Sequence, residues 1–255
     1  LIMADKTCAI VALSNPIRKK IDELITYLQH LDYDVYTSEF FYFKTEGSVK
    51  AQELQKFYEM DVDYIFDVSG GDLSLDTLYF MDFRAIQQSK TIYMGYSDLT
   101  TIINAIYTIT KKPSYLYQPR FFLENTPDLE SFNIHYVRGN HLEGRVIGGN
   151  IRCLLKLAGT TYFPDPIDHV LFLESLSGDR YRIESYFAQL RMLGVFDKIN
   201  GLLLGSFTEL EADGEKVEVI AEKYYKGTIV KTDDIGHEDK IVKMADNLLG
   251  QYALQ

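Results

Sequence analysis

The sequence predicts an α/β protein whose N-terminal part is a parallel sheet covered by helices, in the manner of flavodoxin-like and Rossmann-like domains. Strand and helix patterns alternate through the first 110 residues, which is the order that a parallel sheet requires. Apolar runs that suit buried strands end in short turns containing glycine or serine, and open α/β sheets bind ligands at such strand ends. A second series of strand and helix patterns begins near Arg145, so the 255 residues are expected to form two domains.

Local sequence patterns predict the strands and helices of the N-terminal domain. Strands are expected at 8–13, 34–37, 64–68 and 91–94, where apolar residues cluster between turn signals. Helices are expected over 17–31, 48–60 and about 98–109, where apolar residues recur at helical spacing. Ser14-Asn15-Pro16 precedes the first of these helices and is a helix-start signal, with proline close to the first helical position.

Between Lys111 and Gly144 the periodicity fades, and a connection or active-site loop without regular structure is expected there. We therefore divide the chain into an N-terminal domain, 1–116, a connecting segment, 117–144, and a C-terminal domain, 145–255. In the C-terminal domain, strands are expected at 169–173, at 201–207 and from Thr228 toward His237, and helices after Asn150 and over 181–193 and 217–225.

Composition argues against several classes of function. The net charge of -11 disfavours a nucleic-acid partner, because such binding requires clustered Lys and Arg. No apolar run reaches the roughly 20 residues that cross a bilayer, and the N-terminal residues lack a signal-peptide pattern. A cytoplasmic protein without a membrane partner is therefore expected. Cys8 and Cys153 lie in apolar segments and are expected to be buried thiols. The five histidines lack the spacing of a zinc site, and neither a metal nor a cofactor is expected.

The segment Gly95-Tyr96-Ser97-Asp98 places a serine where a strand gives way to a helix. A hydroxyl at such a turn stands clear of the sheet, near helix amides, and can act as a nucleophile. The segment is not the G-x-S-x-G elbow, because Leu99 occupies the last glycine position. Ser97 also suits the N-cap of the following helix, and the motif alone leaves both interpretations open.

A serine nucleophile needs a base, and a histidine base needs a carboxylate to orient it. His237 is the candidate base because it follows a strand in a turn, whereas the other histidines lie at a helix end, at a strand start or in the connection. Glu174 follows four apolar residues and is the candidate carboxylate, although a solvated strand end would read the same way. The amides of Gly71 and Asp98 are candidate oxyanion donors, although Gly70-Gly71 also suits an ordinary tight turn.

Five segments follow one another in an order that indicates a family. They are the Gly70-Gly71 turn with Leu78 and Asp82; 95–100; Gly148-Gly149-Asn150 with Leu154, Leu155, Gly159 and Thr160; 171–174 with Tyr181, Arg182, Ile183, Gln189 and Leu190; and Gly236-His237. Together they resemble the serine peptidase family that contains the LD-carboxypeptidases of murein recycling and the microcin C self-immunity peptidases. The resemblance spans nearly the whole chain.

The resemblance implies Ser97 as nucleophile, His237 as general base, Glu174 as its orienting partner, and the amides of Gly71 and Asp98 as the oxyanion hole. It also implies that the C-terminal α/β domain is the smaller one, that the active site lies between the two domains, and that the protein forms a homodimer.

The expected function is hydrolysis of an amide bond in a small peptide or peptide conjugate, by an LD-carboxypeptidase-like Ser-His-Glu mechanism acting on a murein tetrapeptide. Hydrolysis of a peptidyl or aminoacyl nucleotide is an alternative, since Ser69 and Ser74 around the paired glycines look nearer to the microcin branch. A ligand-binding relative without turnover is a second alternative, suggested by the short connection and the short segment after His237. A flavodoxin-like nucleotide-binding domain ranks last, because G-x-G-x-x-G and the P-loop lysine are missing.

Overall fold

The computed structural model describes residues 6–123 and 133–237 and the backbone of 242–244. The chain divides into two compact units, Leu1–Pro127 and Asp128–Gln255, and the division falls inside the segment expected to be a connection. Each unit contains its own sheet with helices. The predicted α/β class is confirmed. Within the part of the chain that is described, no helix is long and apolar enough to cross a membrane.

The described part of the first unit contains a parallel sheet of five strands in the order β2-β1-β3-β4-β5. The strands are β1 (Lys6–Val11), β2 (Tyr33–Thr37), β3 (Tyr64–Asp67), β4 (Ile92–Gly95) and β5 (Ser114–Leu116). The helices are α1 (Asp22–His30), α2 (Gly47–Glu59), α3 (Ser74–Leu78), α4 (Phe83–Gln88) and α5 (Thr100–Thr110), with 3-10 helices at Ser97–Leu99 and Pro119–Leu123. Parallel pairing brings the carboxyl ends of all these strands to one edge of the sheet.

Two predictions about the first unit are wrong. The first helix begins at Asp22 and not directly after Pro16, because the polar groups of Ser14 and Asn15 bond to the turn after β3 instead of capping a helix. The stretch 111–144, where the periodicity fades, is not without regular structure, since β5 and the 3-10 helix Pro119–Leu123 lie in it. β5 is three residues long and pairs with β4, so too few residues alternate to form a recognisable strand pattern.

The described part of the second unit contains a sheet in the order β6-β10-β9-β8-β7. The strands are β6 (His135–Arg138), β7 (Arg145–Asn150), β8 (His169–Ser175), β9 (Gly201–Phe207) and β10 (Ile229–Lys231), and Val242–Met244 forms a further short strand, β11. The helices are α6 (Ile151–Leu155), α7 (Arg180–Met192), α8 (Thr208–Ala212) and α9 (Val217–Tyr224). β6 pairs antiparallel with β10, and the other pairs within this sheet are parallel.

The cores of both units contain the apolar runs that predicted the strands. Cys8 to Val11 of β1 and Val170 to Leu173 of β8 are at most 1% exposed. Both cysteines are fully buried, which confirms their expected role as packed thiols. Burial raises the pKa of the Cys8 thiol to about 12, so the reactive thiolate is disfavoured at neutral pH.

Candidate active site

Ser97 lies directly beyond β4 and is the first residue of the 3-10 helix that leads into α5. Its φ angle is +56°, in the left-handed region that non-glycine residues rarely adopt. Such a conformation costs on the order of 1–3 kcal/mol and occurs preferentially at functional sites. A strained strand-to-helix turn that presents a half-buried serine is the local geometry of a nucleophile elbow.

The buried side chain of Leu99 explains why the first residue of the turn is glycine. A Cβ atom on Gly95 would lie 2.8 Å from Leu99 Cδ1 and 3.1 Å from Leu99 Cβ, and Leu99 is fully buried. The turn therefore needs glycine at position 95 to accommodate a core leucine at position 99. The G-x-S-x-G elbow has glycine at the fifth position, where this chain has a side chain that packs into the core.

The helix-cap interpretation of Ser97 is not supported by the turn geometry. The residues in the N-cap positions are Tyr96 for the 3-10 helix and Leu99 for α5, and neither helix has a side-chain cap hydrogen bond. Ser97 lies inside the first turn rather than before it, and its backbone is not in the extended conformation typical of a cap.

The Gly70-Gly71 turn lies beside Ser97. A Cβ atom on Gly70 would lie 3.6 Å from Ser97 Cβ and 3.8 Å from Ser97 Oγ, which is van der Waals contact and shows that the two turns are adjacent. Gly71 has a φ of +117°, and a Cβ there would lie 2.3 Å from Cγ of Asn15. Gly71 is therefore required by its backbone conformation and by close approach to Asn15, whereas at position 70 there is room for a Cβ atom. The structure brings together the two turns that sequence reasoning selected.

Asp98 connects these turns through its side chain, a role that sequence reasoning missed because it considered only the backbone amide. Its carboxylate is fully buried and accepts hydrogen bonds from Ser14 Oγ at 2.6 Å and from the Ser74 amide at 2.9 Å. Its carbonyl oxygen accepts from Ser74 Oγ and Thr101 Oγ1. Asp98 thus joins the nucleophile turn to the start of α3.

A second buried carboxylate lies at the end of β3. Asp67 is fully buried and accepts from the amide and hydroxyl of Ser69, from the Leu13 amide and from the Tyr93 hydroxyl, at distances of 2.7 to 3.1 Å. Desolvation raises the pKa of Asp67 to about 6, and the four hydrogen bonds oppose that rise. An aspartate that ends an apolar strand is a sequence signal that could have identified this residue.

A buried lysine contacts Ser14, which bonds to one of these two carboxylates. Lys50 of α2 is 3% exposed, and its Nζ donates to the carbonyl oxygen of Ser14 at 2.5 Å. Burial lowers the pKa of Lys50, and the negative charges of Asp67 and Asp76 act in the opposite direction. Lys50 and Asp67 are both buried, whereas Asp76 is exposed, so a cation and a carboxylate share this part of the interior, which reduces the cost of burying each charge.

In the second unit the predicted base and carboxylate are hydrogen-bonding neighbours. Nδ1 of His237 lies 3.2 Å from Oε2 of Glu174. Glu174 is 2% exposed and His237 is 8% exposed, which excludes a solvated strand end for Glu174. Glu174 lies near the carboxyl end of β8, opposite Asn150 of β7. A buried carboxylate at this distance can fix the orientation of an imidazole ring.

Two glycines allow the His237 loop to approach the end of β9. A Cβ atom on Gly205 would lie 2.5 Å from the carbonyl oxygen of Ile235, and one on Gly236 would lie 1.6 Å from Oγ of Ser206. The Ser206 amide donates to the Ile235 carbonyl oxygen at 2.9 Å. Because β9 neighbours β8, this contact holds the loop next to the strand that carries Glu174.

The predicted site residues thus form two local groups. Ser97, Gly71 and Asp98 lie together in the first unit. Glu174 and His237 lie together in the second. The first group offers a strained hydroxyl beside two turns, and the second offers an imidazole held by a carboxylate, which are the parts of a serine hydrolase.

Comparison with known protein families matches both parts of the chain. The sequence model described as the LD-carboxypeptidase N-terminal domain matches residues 8–117. The one described as the LD-carboxypeptidase C-terminal domain matches residues 143–245.

Individual relatives agree with these matches. The chain is 26% identical over 234 residues to the microcin C7 self-immunity protein MccF of Escherichia coli, which covers 71% of this chain and 68% of the relative. A solved structure of a mutant of that protein in complex with adenosine monophosphate has a TM-score of 0.82 at 20% identity, covering 96% of this chain and 93% of that one. The muramoyltetrapeptide carboxypeptidase from Oxalobacter formigenes has a TM-score of 0.77 at 21% identity, covering 94% and 92%. These two structural likenesses concern the fold.

Proposed function

We propose a mechanism for this chain on the premise that it belongs to the LD-carboxypeptidase family of serine peptidases. The proposed nucleophile is Ser97, the general base is His237, and Glu174 orients the base. The amides of Gly71 and Asp98 are the proposed oxyanion donors. These are the roles that the sequence resemblance implies, and the local geometry within each unit supports them.

The proposed reaction begins when Ser97 Oγ attacks the carbonyl carbon of the scissile amide and His237 accepts the hydroxyl proton. The carboxylate of Glu174 beside Nδ1 favours the tautomer that carries its proton there, which leaves Nε2 as the base. The imidazolium then gives its proton to the leaving amine, and an ester to Ser97 remains. Water, deprotonated by the same histidine, hydrolyses the ester, and the proton returns to Ser97 Oγ as the acid leaves.

The buried pair of His237 and Glu174 is the observation that carries this proposal. A histidine and a glutamate that are both nearly inaccessible to water and 3.2 Å apart are costly to bury unless they interact. The strained φ of Ser97 is a second, independent sign, because its conformational cost is explained by presentation of a nucleophile.

We propose that the substrate is a small peptide cut near its carboxyl end, with a murein tetrapeptide as the leading candidate. The family description supports a carboxypeptidase, and a structurally similar protein carries the name muramoyltetrapeptide carboxypeptidase. This substrate would place the protein in cytoplasmic peptidoglycan recycling. We also propose that it acts as a homodimer, which sedimentation equilibrium of the purified chain tests.

A peptidyl or aminoacyl nucleotide is the alternative substrate. The relative from Escherichia coli is a microcin self-immunity protein, and its mutant was solved with adenosine monophosphate. This chain contains no tryptophan that could stack on a nucleotide base, which is why we place this substrate second. Parallel assays by mass spectrometry on a murein tetrapeptide and on an aminoacyl sulfamoyl adenosine separate the two substrates by which one is cleaved.

Active-site labelling tests the nucleophile. A fluorophosphonate should add its mass to Ser97 of the folded protein, and Ser97→Ala should remove the adduct. No adduct at a dose that labels a known serine hydrolase would contradict the mechanism. Turnover by a wild type that cannot be labelled would point to a different nucleophile.

Matched histidine substitutions test the base. His237→Asn should reduce turnover and labelling by about 10³-fold or more, since it removes the proposed proton acceptor. His169→Asn provides the control, because His169 begins β8 and lies near the carbonyl oxygen of Ile167, at the opposite end of the strand that carries Glu174. A relative that only binds ligand would show no turnover in any variant, with unchanged affinity after Ser97→Ala.

A further inference from the structure

Ser14 has an unusual set of hydrogen bonds for a residue that follows a strand. It lies beyond β1, is fully buried, and bonds through its amide, its carbonyl and its hydroxyl to different parts of the first unit. Its amide donates to Ser69 Oγ at 2.9 Å, and its carbonyl oxygen accepts from Lys50 Nζ at 2.5 Å. These two bonds hold the backbone of Ser14 between the end of β3 and helix α2.

The hydroxyl of Ser14 joins the two turns of the candidate site. It donates to Oδ2 of Asp98 at 2.6 Å and accepts from the amide of Leu73 at 3.2 Å. A serine hydroxyl has one proton and two lone pairs, so this single oxygen serves a donor on one turn and an acceptor on the other. The bond to Asp98 is at the short end of the range for a hydroxyl donor.

The neighbouring residue strengthens the same connection. The Asn15 amide donates to the carbonyl oxygen of Gly70 at 3.1 Å. Its side-chain oxygen accepts from the amides of Asp72 and Leu73 at 2.9 and 3.2 Å. Residues 14 and 15 therefore hold the glycine turn, and the side chain of Ser14 also bonds to the nucleophile turn through Asp98.

We propose that Ser14 is a positioning residue that sets the separation between the glycine turn and the nucleophile turn. The inference rests on the proposed function, because it matters for catalysis only if the amides of Gly71 and Asp98 bind the oxyanion. Ser14 itself does not touch the substrate. It acts through Asp98 on one side and through the segment that follows Gly71 on the other.

The reason for a catalytic effect is geometric. Oxyanion donors act over distances of about 2.7–3.1 Å, and loss of one donor costs about 10²–10³-fold in kcat. Removal of the Ser14 hydroxyl leaves both amides in place and leaves the bonds of Ser74 to Asp98, but it breaks the bond that joins the end of β1 to both turns. A partial misalignment should therefore cost about 10- to 100-fold in the chemical step and little in ground-state binding.

Ser89 provides a matched control for a purely structural hydroxyl. It is 5% exposed, its Oγ donates to Asp61 at 2.7 Å, and it accepts from the Thr91 amide at 3.0 Å. Its partners include the two kinds that Ser14 has, one carboxylate and one backbone amide, and its Oγ also lies 2.7 Å from Thr91 Oγ1. Ser89 precedes β4, at the amino edge of the same sheet, whereas Ser97 follows the carboxyl end of that strand.

The test measures the rate at which a fluorophosphonate labels Ser97 in the whole chain. The dependence of this rate on fluorophosphonate concentration gives a maximal rate constant and an apparent dissociation constant. Ser14→Ala should lower the maximal rate about 10- to 100-fold with an unchanged dissociation constant, and Ser89→Ala should change neither by more than about threefold. Ser14→Cys, which keeps a weak donor and acceptor, should fall between wild type and Ser14→Ala. If Ser14→Ala does not fold, the labelling rate of Ser14→Cys tests the inference instead.

The outcomes separate this inference from the proposed function. Labelling of Ser14→Ala within threefold of wild type, or equal slowing by Ser14→Ala and Ser89→Ala, overturns the role of Ser14 and leaves Ser97 as the nucleophile. Absence of a Ser97 adduct in the wild type overturns the proposed function itself, and the inference with it. Near-UV circular dichroism of each variant identifies loss of rate that is caused by unfolding.

Discussion

Carboxylates accept hydrogen bonds from hydroxyls and amides at both ends of the strands of the N-terminal sheet, but their exposure to water differs. We call the two ends the carboxyl edge and the amino edge. At the carboxyl edge, Asp98 accepts from Ser14 and Asp67 accepts from Ser69, and all four residues are at most 1% exposed. At the amino edge, Asp63 accepts from the amide and hydroxyl of Thr7 at 2.8 and 3.0 Å. The bonds are alike in length and type, but only the carboxyl-edge groups are cut off from water.

The pKa values show what this difference does. Hydrogen bonds, led by the Thr7 amide, lower the pKa of Asp63 despite its partial burial. Asp67 accepts four hydrogen bonds, yet burial raises its pKa to about 6. Hydrogen bonds to a half-exposed carboxylate thus stabilise its charge, whereas at the carboxyl edge they only reduce a larger desolvation cost. Folding therefore stabilises the charged form of Asp63 and destabilises the charged form of Asp67.

Removal of one carboxylate from each edge should show the contrast most strongly. Asp98→Ala leaves the Ser14 hydroxyl and the Ser74 amide buried without their acceptor, and each unpaired donor costs about 1–3 kcal/mol. We expect its free energy of unfolding in urea to fall by about 2–5 kcal/mol. Asp63→Ala removes an acceptor from the same two kinds of donor, but water can reach them, and a loss of about 1 kcal/mol is expected.

Both variants should also be compared in fluorophosphonate labelling. Asp98→Ala should slow labelling of Ser97, and Asp63→Ala should leave the rate unchanged. Equal losses of stability would show that the two edges do not differ in access to water. An unchanged labelling rate in Asp98→Ala would show that the buried carboxylate does not position the site.

The pH dependence of stability should have opposite signs at the two edges. For Asp67, the folded state binds a proton more tightly than the unfolded state between the ordinary pKa of 3.8 and about 6. Its contribution to the free energy of unfolding therefore falls as pH rises through this window, by at most about 3 kcal/mol. For Asp63, whose folded pKa is lowered, the contribution is present above pH 3.8 and is lost as pH falls below it.

Substitution of each aspartate by asparagine isolates its contribution to the pH dependence of the free energy of unfolding. The free energy of unfolding of wild type minus that of Asp67→Asn should decrease between pH 4 and pH 6. The same difference for Asp63→Asn should be constant across that range and should decrease only at lower pH. A difference for Asp67→Asn that rises with pH would mean that its hydrogen bonds, and not its burial, determine the charge.

The sequence patterns predicted the parts of this molecule that depend on neighbours along the chain. The alternation of strands and helices, the strand-end positions of Ser97 and Glu174, and the loop position of His237 all follow from local patterns. The Ser14 network does not, because its partners are 36 to 84 residues away. Ser14-Asn15-Pro16 was predicted to start a helix for the same reason. Its polar groups suit a helix cap, and the sequence alone does not identify the distant residues that they bond instead.

Two tyrosine hydroxyls provide the finest comparison. Tyr93 and Tyr58 are 1% and 2% exposed. The Tyr93 hydroxyl donates to Asp67 at 2.9 Å, whereas the Tyr58 hydroxyl is buried without a hydrogen-bond partner within the described part of the chain. Tyr58 lies in the last turns of α2, which lead into the amino end of β3, and Asp67 ends that strand. The same Tyr→Phe change therefore removes a bond to a buried carboxylate near one edge and an unpaired polar atom near the other.

We expect Tyr93→Phe to lower the free energy of unfolding by about 1–2 kcal/mol at pH 8, where Asp67 is ionised, and by less at pH 5, where a protonated Asp67 needs the donor less. Tyr58→Phe should be neutral or stabilising by up to about 1 kcal/mol at both values, because it removes a desolvated hydroxyl. Urea unfolding at the two pH values checks both. Equal effects of the two substitutions at pH 8 would mean that the Tyr93 hydroxyl contributes nothing to holding the Asp67 charge, and the contrast between the edges would then rest on Asp98 alone.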